Sequence, residues 1–268
     1  MWGDLKNIIR KNLLNPEQDT RLLWYIEKTN DIGDVIGVYI MEIWNFEQRM
    51  YGGDSLEIVE ELLKEEKTTE ELVELLMSTH KLDSDNARIQ LHKLINIKNT
   101  YQDFMLLDFS IDTIKHIHSQ LMDGLLPERL LGRYRKVDVK PYGSWYTYLP
   151  YNDIEYRLTI LVDVVQKEMA KTTSKTNAII IASIFLEQFL NIHPFINGNG
   201  RCVRFLFSLL LKPYFNFPIC IHKHIYKSYE TCRLDYLNSL EMSRISTDHS
   251  PIIDYIREGI CSFLLIII

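Results

Sequence analysis

Apolar residues recur at helical spacing along most of the chain. Leu56, Val59, Leu62 and Leu63 share one face of a segment whose Glu57, Glu60, Glu61 and Lys64 fall elsewhere, and Glu70 to Met77 repeats the pattern with Leu72, Val73, Leu75 and Leu76. These acidic stretches read as solvated faces of amphipathic helices rather than as chemistry. Further helices are predicted over Asp83 to Phe104, from Ser110 (with Asp112 in its first turn) through Met122, and over Asp153 to Lys171. The same pattern predicts helices over Asn177 to Leu190, Asn199 to Leu211, Ser228 to Glu241 and Pro251 to Ile267. Gly124 to Pro150 departs from it. Leu131 to Arg135 and Val137 to Val139 suggest extended chain. Tyr142-Gly143-Ser144 is a turn signal before the β-favouring run Trp145, Tyr146, Thr147, Tyr148 and Leu149. A short β-hairpin closing at Pro150 is expected. The fold class is therefore mostly α with one hairpin, an N-terminal helical region over residues 1–85 packing on a core over 86–268. Neither a Gly/Ser-rich linker nor an internal repeat divides the chain.

Composition changes this picture little. The 268 residues are 46% hydrophobic and 25% charged, ordinary for a globular protein, and a net charge of −6 argues against nucleic acid or an anionic membrane as partner. Met1 to Asn15 carries charges throughout and lacks the apolar core of a secretion signal. Phe263 to Ile268 is apolar but far shorter than the roughly 20 residues of a membrane span, and reads as a buried helix end or the stump of a longer chain. Cys202, Cys220, Cys232 and Cys261 show no metal-ligand spacing and read as reduced thiols, so a cytoplasmic location is expected.

The chemistry concentrates at His193-Pro194-Phe195-Ile196-Asn197-Gly198-Asn199-Gly200-Arg201, with Arg204 following. A glycine-rich turn opening onto a helix N-terminus offers several backbone N–H groups to one point, which suits an anion and above all a polyphosphate. Pro194 must end the preceding helix at His193. The imidazole there is a natural general base near neutral pH. Phe195 would anchor the turn in the core, the amides of Ile196 to Arg201 could stabilise a phosphoryl oxygen, and Arg201 and Arg204 could grip further phosphates. Taken singly, each element has a plainer reading as a helix cap, a tight turn or a surface charge. His116 with His118, and His222 with His224, have the spacing of metal ligands in strands, but residues two apart on a helix do not share a face.

The run resembles the signature of the Fic family, His-Pro-Phe-x-(Asp/Glu)-Gly-Asn-Gly-Arg. Ser119 to Met122 ahead of Gly132 to Arg135, Thr147 to Pro150, Gln188-Phe189 before Ile192, and Tyr236 with Leu240 extend the resemblance over roughly residues 90 to 260. It implies transfer of AMP from ATP to a Ser, Thr or Tyr hydroxyl of a protein target, with pyrophosphate released. On this resemblance His193 deprotonates the hydroxyl, Phe195 fixes the loop, and Gly198, Asn199, Gly200 and Arg201 cradle the phosphates. Arg204 holds the terminal phosphate and Tyr236 contacts the adenine. The flap, Ser144, Trp145, Tyr146, Thr147, Tyr148 and Leu149, clamps the target backbone by strand addition, although Trp145 and Tyr146 read equally well as core residues of the hairpin.

Asn197 departs from the family, which has Asp or Glu there to bind Mg²⁺. An amide oxygen can ligate Mg²⁺ or Mn²⁺ but brings no charge to attract it. Three readings follow: weakened AMP transfer, transfer of another group, or a catalytically silent fold that binds nucleotide or protein. The family also uses an inhibitory glutamate, whose nearest counterparts here are Glu47 and Glu42. Expected partners are ATP and an unidentified protein target, the protein itself included. The N-terminal region could serve as a homodimer or regulatory surface.

Overall fold

The computed structural model describes residues 5–13, 39–40, 42–43, 54–141, 146–215, 217–222 and 227–267. In chain order the helices are α1 (Leu5–Asn12), α2 (Asp54–Lys64), α3 (Thr69–His80), α4 (Ser84–Gln102) and α5 (Ile111–Met122). They continue as α6 (Ile154–Met169), α7 (Lys175–Ile192), α8 (Asn199–Leu211), α9 (Tyr229–Ser246) and α10 (Ser250–Ile267). The architecture among the described residues is helical, with no strand.

Local chemistry sets the helix starts. Thr68 and Glu71 form a reciprocal capping box at α3. Asp83, Ser110, Ser174 and Ser228 each accept a backbone N–H three residues on, at the starts of α4, α5, α7 and α9. Tertiary packing does the rest. From Ala178 to Leu186 every residue of α7 is buried, so this helix has no solvent face and occupies the middle of the molecule. It packs against α6, α8 and α10, with α1 laid across α6 and α7. α5 packs on α4 and α8, and thereby backs the turn that joins α7 to α8. One charged side chain inside α7, Glu187, is met by the equally buried His249. The C-terminal apolar run is the end of α10, where Phe263 and Leu264 are fully buried. All four cysteines are buried thiols. No helix among the described residues is long and apolar enough to cross a membrane.

The expected hairpin is not seen among the described residues. Residues 137–141 and 146–149 carry no strand, and a single backbone bond, Tyr148 N–H to the Val139 carbonyl (3.3 Å), joins the two arms. Ser144 and Trp145, at its expected tip, lie outside the described residues. Pro141 cannot donate, Leu149 N–H bonds the Asn191 carbonyl (3.4 Å), and just past the second arm Tyr151 N–H bonds Asp138 Oδ1 (2.8 Å). The arms thus meet through isolated bonds without a ladder, and Leu149 ties the second of them to the end of α7.

Removing the α4 cap tests this account of helix starts. Asp83→Ala deletes the 2.8 Å bond to the Asn86 N–H and should cost about 1 kcal/mol, read as a lower urea midpoint with unchanged slope.

Candidate functional site

α7 ends because His193 takes a left-handed backbone (φ 50°, ψ 62°) and donates its N–H to the Phe189 carbonyl at 2.9 Å, with Pro194 next. Such a conformation is costly for a residue with a Cβ and persists only where the surroundings impose it. They do so here. The Arg135 guanidinium is buried and bonds the carbonyls of His193 (2.8 Å), Val137 (2.7 Å), Ile192 (3.3 Å) and Leu149. Its own N–H bonds the Pro194 carbonyl at 2.9 Å. Arg135 thus fastens the end of α7 to both arms of the 137–149 segment.

The turn beyond His193 is closed by its own residues. Asn199 is buried, and its side chain accepts the Phe195 N–H (3.0 Å) while donating to the Phe195 carbonyl (2.8 Å). Phe195 is fully buried, as an anchor should be. Gly198 has φ +78°, and a Cβ there would lie 2.6 Å from Met122 Sδ, so neither the conformation nor the space admits a side chain. α8 starts immediately after it, leaving the first amides of the helix without intrahelical partners.

His118 of α5 holds this turn from behind. It is fully buried and stacked on Phe195 (centroids 3.8 Å apart, planes 14°). Its Nδ1 accepts the Gly132 N–H at 2.9 Å, so the ring proton sits on Nε2, which donates to the Asn197 carbonyl at 3.1 Å. Burial is the main reason its pKa falls to about 4, with Arg201 adding to the effect. The spacing with Ile114 and Leu121 on one face of α5 was the signal for a buried histidine.

A cavity of about 310 Å³ opens at the turn. His193 lines one side and Ile196 to Arg201 the floor, while Arg204 and Arg233 reach in from α8 and α9. Arg201 is steadied by a bond from Nη1 to the Leu121 carbonyl (3.2 Å). A Cβ on Gly200 would sit 3.3 Å from Arg204 Nη1, which puts that guanidinium directly over the glycine. Arg233 was not anticipated. Its position one helical turn before Tyr236 on α9 was the available clue. Tyr236 lies against His222 (ring centroids 4.7 Å apart) and Tyr255 (5.5 Å), and does not line the cavity.

His193 is half-buried as a residue, yet its Nδ1 is sealed from solvent without a hydrogen-bond partner. The Tyr148 ring lies over the imidazole (3.8 Å, 13°). Burial lowers the pKa of His193 to about 4, helped by the positive Arg135 and Arg244 and only partly offset by the Leu190 carbonyl. Arg244 caps Tyr146 (4.5 Å to the ring centroid) and bonds its hydroxyl and Asn191. Tyr146 packs edge-on against Tyr148, Leu149 is half-buried, and Thr147 is exposed.

Residues 108–211 match the family model of the Fic/DOC family. Over these residues the chain matches a Fic domain. A Fido domain-containing protein of Dictyostelium discoideum is 41% identical over 63 residues, which is 23% of this chain and 44% of that relative. The match therefore spans less than half of the curated relative's length. Solved structures are similar over nearly the whole chain. A Fic domain-containing signaling protein from Bacteroides thetaiotaomicron has a TM-score of 0.66 at 16% identity, covering 94% of this chain and 95% of that one. A Fic family protein from Desulfovibrio desulfuricans has a TM-score of 0.60 at 18% identity, covering 98% and 71%. At these identities the likeness is one of fold.

Two features bear on metal and regulation at this turn. Asn197 Oδ1 accepts the Gly198 N–H at 2.7 Å, and no cluster of His, Cys, Asp or Glu able to hold a metal exists among the described residues. An uncharged oxygen already engaged in its own turn is a poor ligand for a hard cation, so position 197 does not fit a Mg²⁺ site. Glu47 lies outside the described residues. Glu42 is buried and accepts the Tyr229 hydroxyl at 2.5 Å.

The two histidines give a pH signature. Both stay neutral in the fold down to about pH 4, whereas the unfolded chain protonates them near 6.5. Their contribution to stability is therefore complete above about pH 6.5 and is lost progressively as pH falls towards 4. In His118→Leu, proton uptake on unfolding at about pH 5 should drop by about one relative to wild type, measured from urea unfolding across that range.

Proposed function

We propose that this Fic domain transfers the AMP moiety of ATP to a Ser, Thr or Tyr hydroxyl of a protein, its own included, in the cytoplasm. The observation that carries the reading is the cavity at the turn, where one neutral imidazole, a helix N-terminus and three guanidiniums converge on a space fit for a polyphosphate. His193 takes the hydroxyl proton. The oxygen then attacks the α-phosphorus, the bond from that phosphorus to the bridging oxygen breaks, and pyrophosphate leaves. Amides of the turn and Arg201, Arg204 and Arg233 offset the charge gathering on the phosphoryl oxygens. Gly198 and Gly200 let backbone approach the phosphates, while Asn199 acts through the shape of the turn. The segment Tyr146 to Leu149 would receive the target backbone beside His193. No step is routed through a metal at Asn197.

A second reading has its own support. An imidazole with a pKa near 4 is a weak base, and the Tyr148 ring covers it. Nucleotide binding without turnover, or transfer of another group, would follow from that geometry.

Transfer of label from ATP radiolabelled at the α-phosphate decides between them. Wild type should become labelled with little stimulation by Mg²⁺ or Mn²⁺, and His193→Ala should lose at least about a hundredfold in rate. Asn197→Asp should make labelling metal-stimulated. Silence from wild type together with a labelled Asn197→Asp variant would mean a preserved scaffold that binds without turning over.

A further inference from the structure

A larger depression lies on the other side of Ile196 from the phosphate cavity, and the proposed chemistry does not use it. This groove, of about 870 Å³, runs between α5, the loop before the 137–149 segment, and the start of α6. Its shape comes from Gly132, whose φ of +63° presses the loop flat on α5. A Cβ there would lie 2.6 Å from Ser119 Oγ and 2.8 Å from the Lys115 carbonyl.

The charge of the groove is opposite to that of the chain. Lys115, Arg129, Arg133 and Lys136 line it, against one carboxylate, Glu155, while the protein as a whole carries −6. Lys115 Nζ lies 4.9 Å from the Tyr134 ring centroid. Arg129, Arg133 and Lys136 are exposed and have no carboxylate partner among the described residues. Arg135 is a different case: its guanidinium is spent on backbone carbonyls and does not count towards the patch. Between the cations lie apolar groups open to solvent: Val137 (54% exposed), Tyr151 (38%) and Ile196 (38%). Three exposed cations around an apolar strip, on a protein otherwise acidic, form a surface that attracts one kind of partner and repels most others.

We infer that this groove docks an acidic segment of the protein substrate, with Asp and Glu side chains on Arg129, Arg133 and Lys136 and an apolar or aromatic side chain against Tyr151 and Val137. The inference rests on the transferase reading for the word substrate, but the docking itself needs no turnover. Ile196 lines both the groove and the phosphate cavity, so a segment seated here is held beside the nucleotide while leaving its site open. Recognition by charge at a distance from the modified hydroxyl would let the Fic domain choose its target without contacts to that hydroxyl's immediate neighbours.

The test uses the full chain and a fluorescein-labelled peptide of alternating Glu/Asp and Leu/Tyr residues, followed by fluorescence anisotropy without nucleotide. Binding should weaken about tenfold or more in Arg129→Glu/Arg133→Glu and about threefold or more in Tyr151→Ser, and should fall as salt rises. The same peptide with Gln and Asn in place of Glu and Asp should not bind. Saturating ATP should leave the affinity unchanged, and the double variant should keep the wild-type melting temperature and ATP affinity. No binding, equal binding by the charge-reversed variant, equal binding of the neutral peptide, or displacement by ATP would each overturn the inference. So would a wild-type dimer that the double variant dissolves, since the groove would then hold a second copy. Failure of label transfer with the peptide still bound would instead sink the transferase reading and leave the acidic-segment site standing.

Discussion

The chain must reverse between α7 and α8 with the end of α7 buried, and every feature of the site follows from how that reversal is held. A histidine in a left-handed conformation is unfavourable by itself. It is kept there by the Arg135 guanidinium on the carbonyls around it, by the Asn199 amide closing on Phe195, and by His118 of α5 donating to the Asn197 carbonyl. None of these bonds involves a ligand. The amides at the start of α8 are therefore presented to the cavity before anything occupies it, and the ordering cost is met on folding instead of on binding.

The same arrangement fixes the electrostatics. Both imidazoles near the turn are desolvated and neutral, so the positive charge in and around the cavity resides in guanidiniums and in the α8 N-terminus. Position 197 contributes an amide turned onto Gly198, not a carboxylate. A polyphosphate would thus meet cationic side chains and backbone donors directly, whereas a carboxylate in that place would repel it without an intervening cation. Asn197 is consistent with its neighbours in this respect and is not an isolated defect.

Much of the fold was legible because helix starts and faces are local properties. Asp83, Ser110 and Ser228 mark their helices in sequence and cap them in the structure, and α8 has the bounds that its apolar run indicates. A strand ladder could not be read from β propensity in Tyr146 to Leu149, which says nothing about where their donors go: Tyr148 reaches Val139 across the segment, but Leu149 turns to Asn191 of the core. Within the site, the glycines, His193 and the arginines of the turn announce an anion site by type and spacing. Spacing could not say that the Asn199 side chain faces its own turn. Nor could it say that Arg233, from a helix formed later in the chain, completes the cavity, or that His118 belongs with Phe195 and not with His116. These are tertiary facts, and each depends on which helix backs which.

The most direct test of the account is the affinity for ATP by isothermal titration calorimetry, in EDTA and again with excess Mg²⁺, for wild type and Arg204→Ala. A turn built to hold phosphates by amides and guanidiniums predicts binding in EDTA that changes less than about threefold with Mg²⁺ and weakens about tenfold or more in Arg204→Ala. Binding that appears only with the metal, and is indifferent to Arg204, would contradict it.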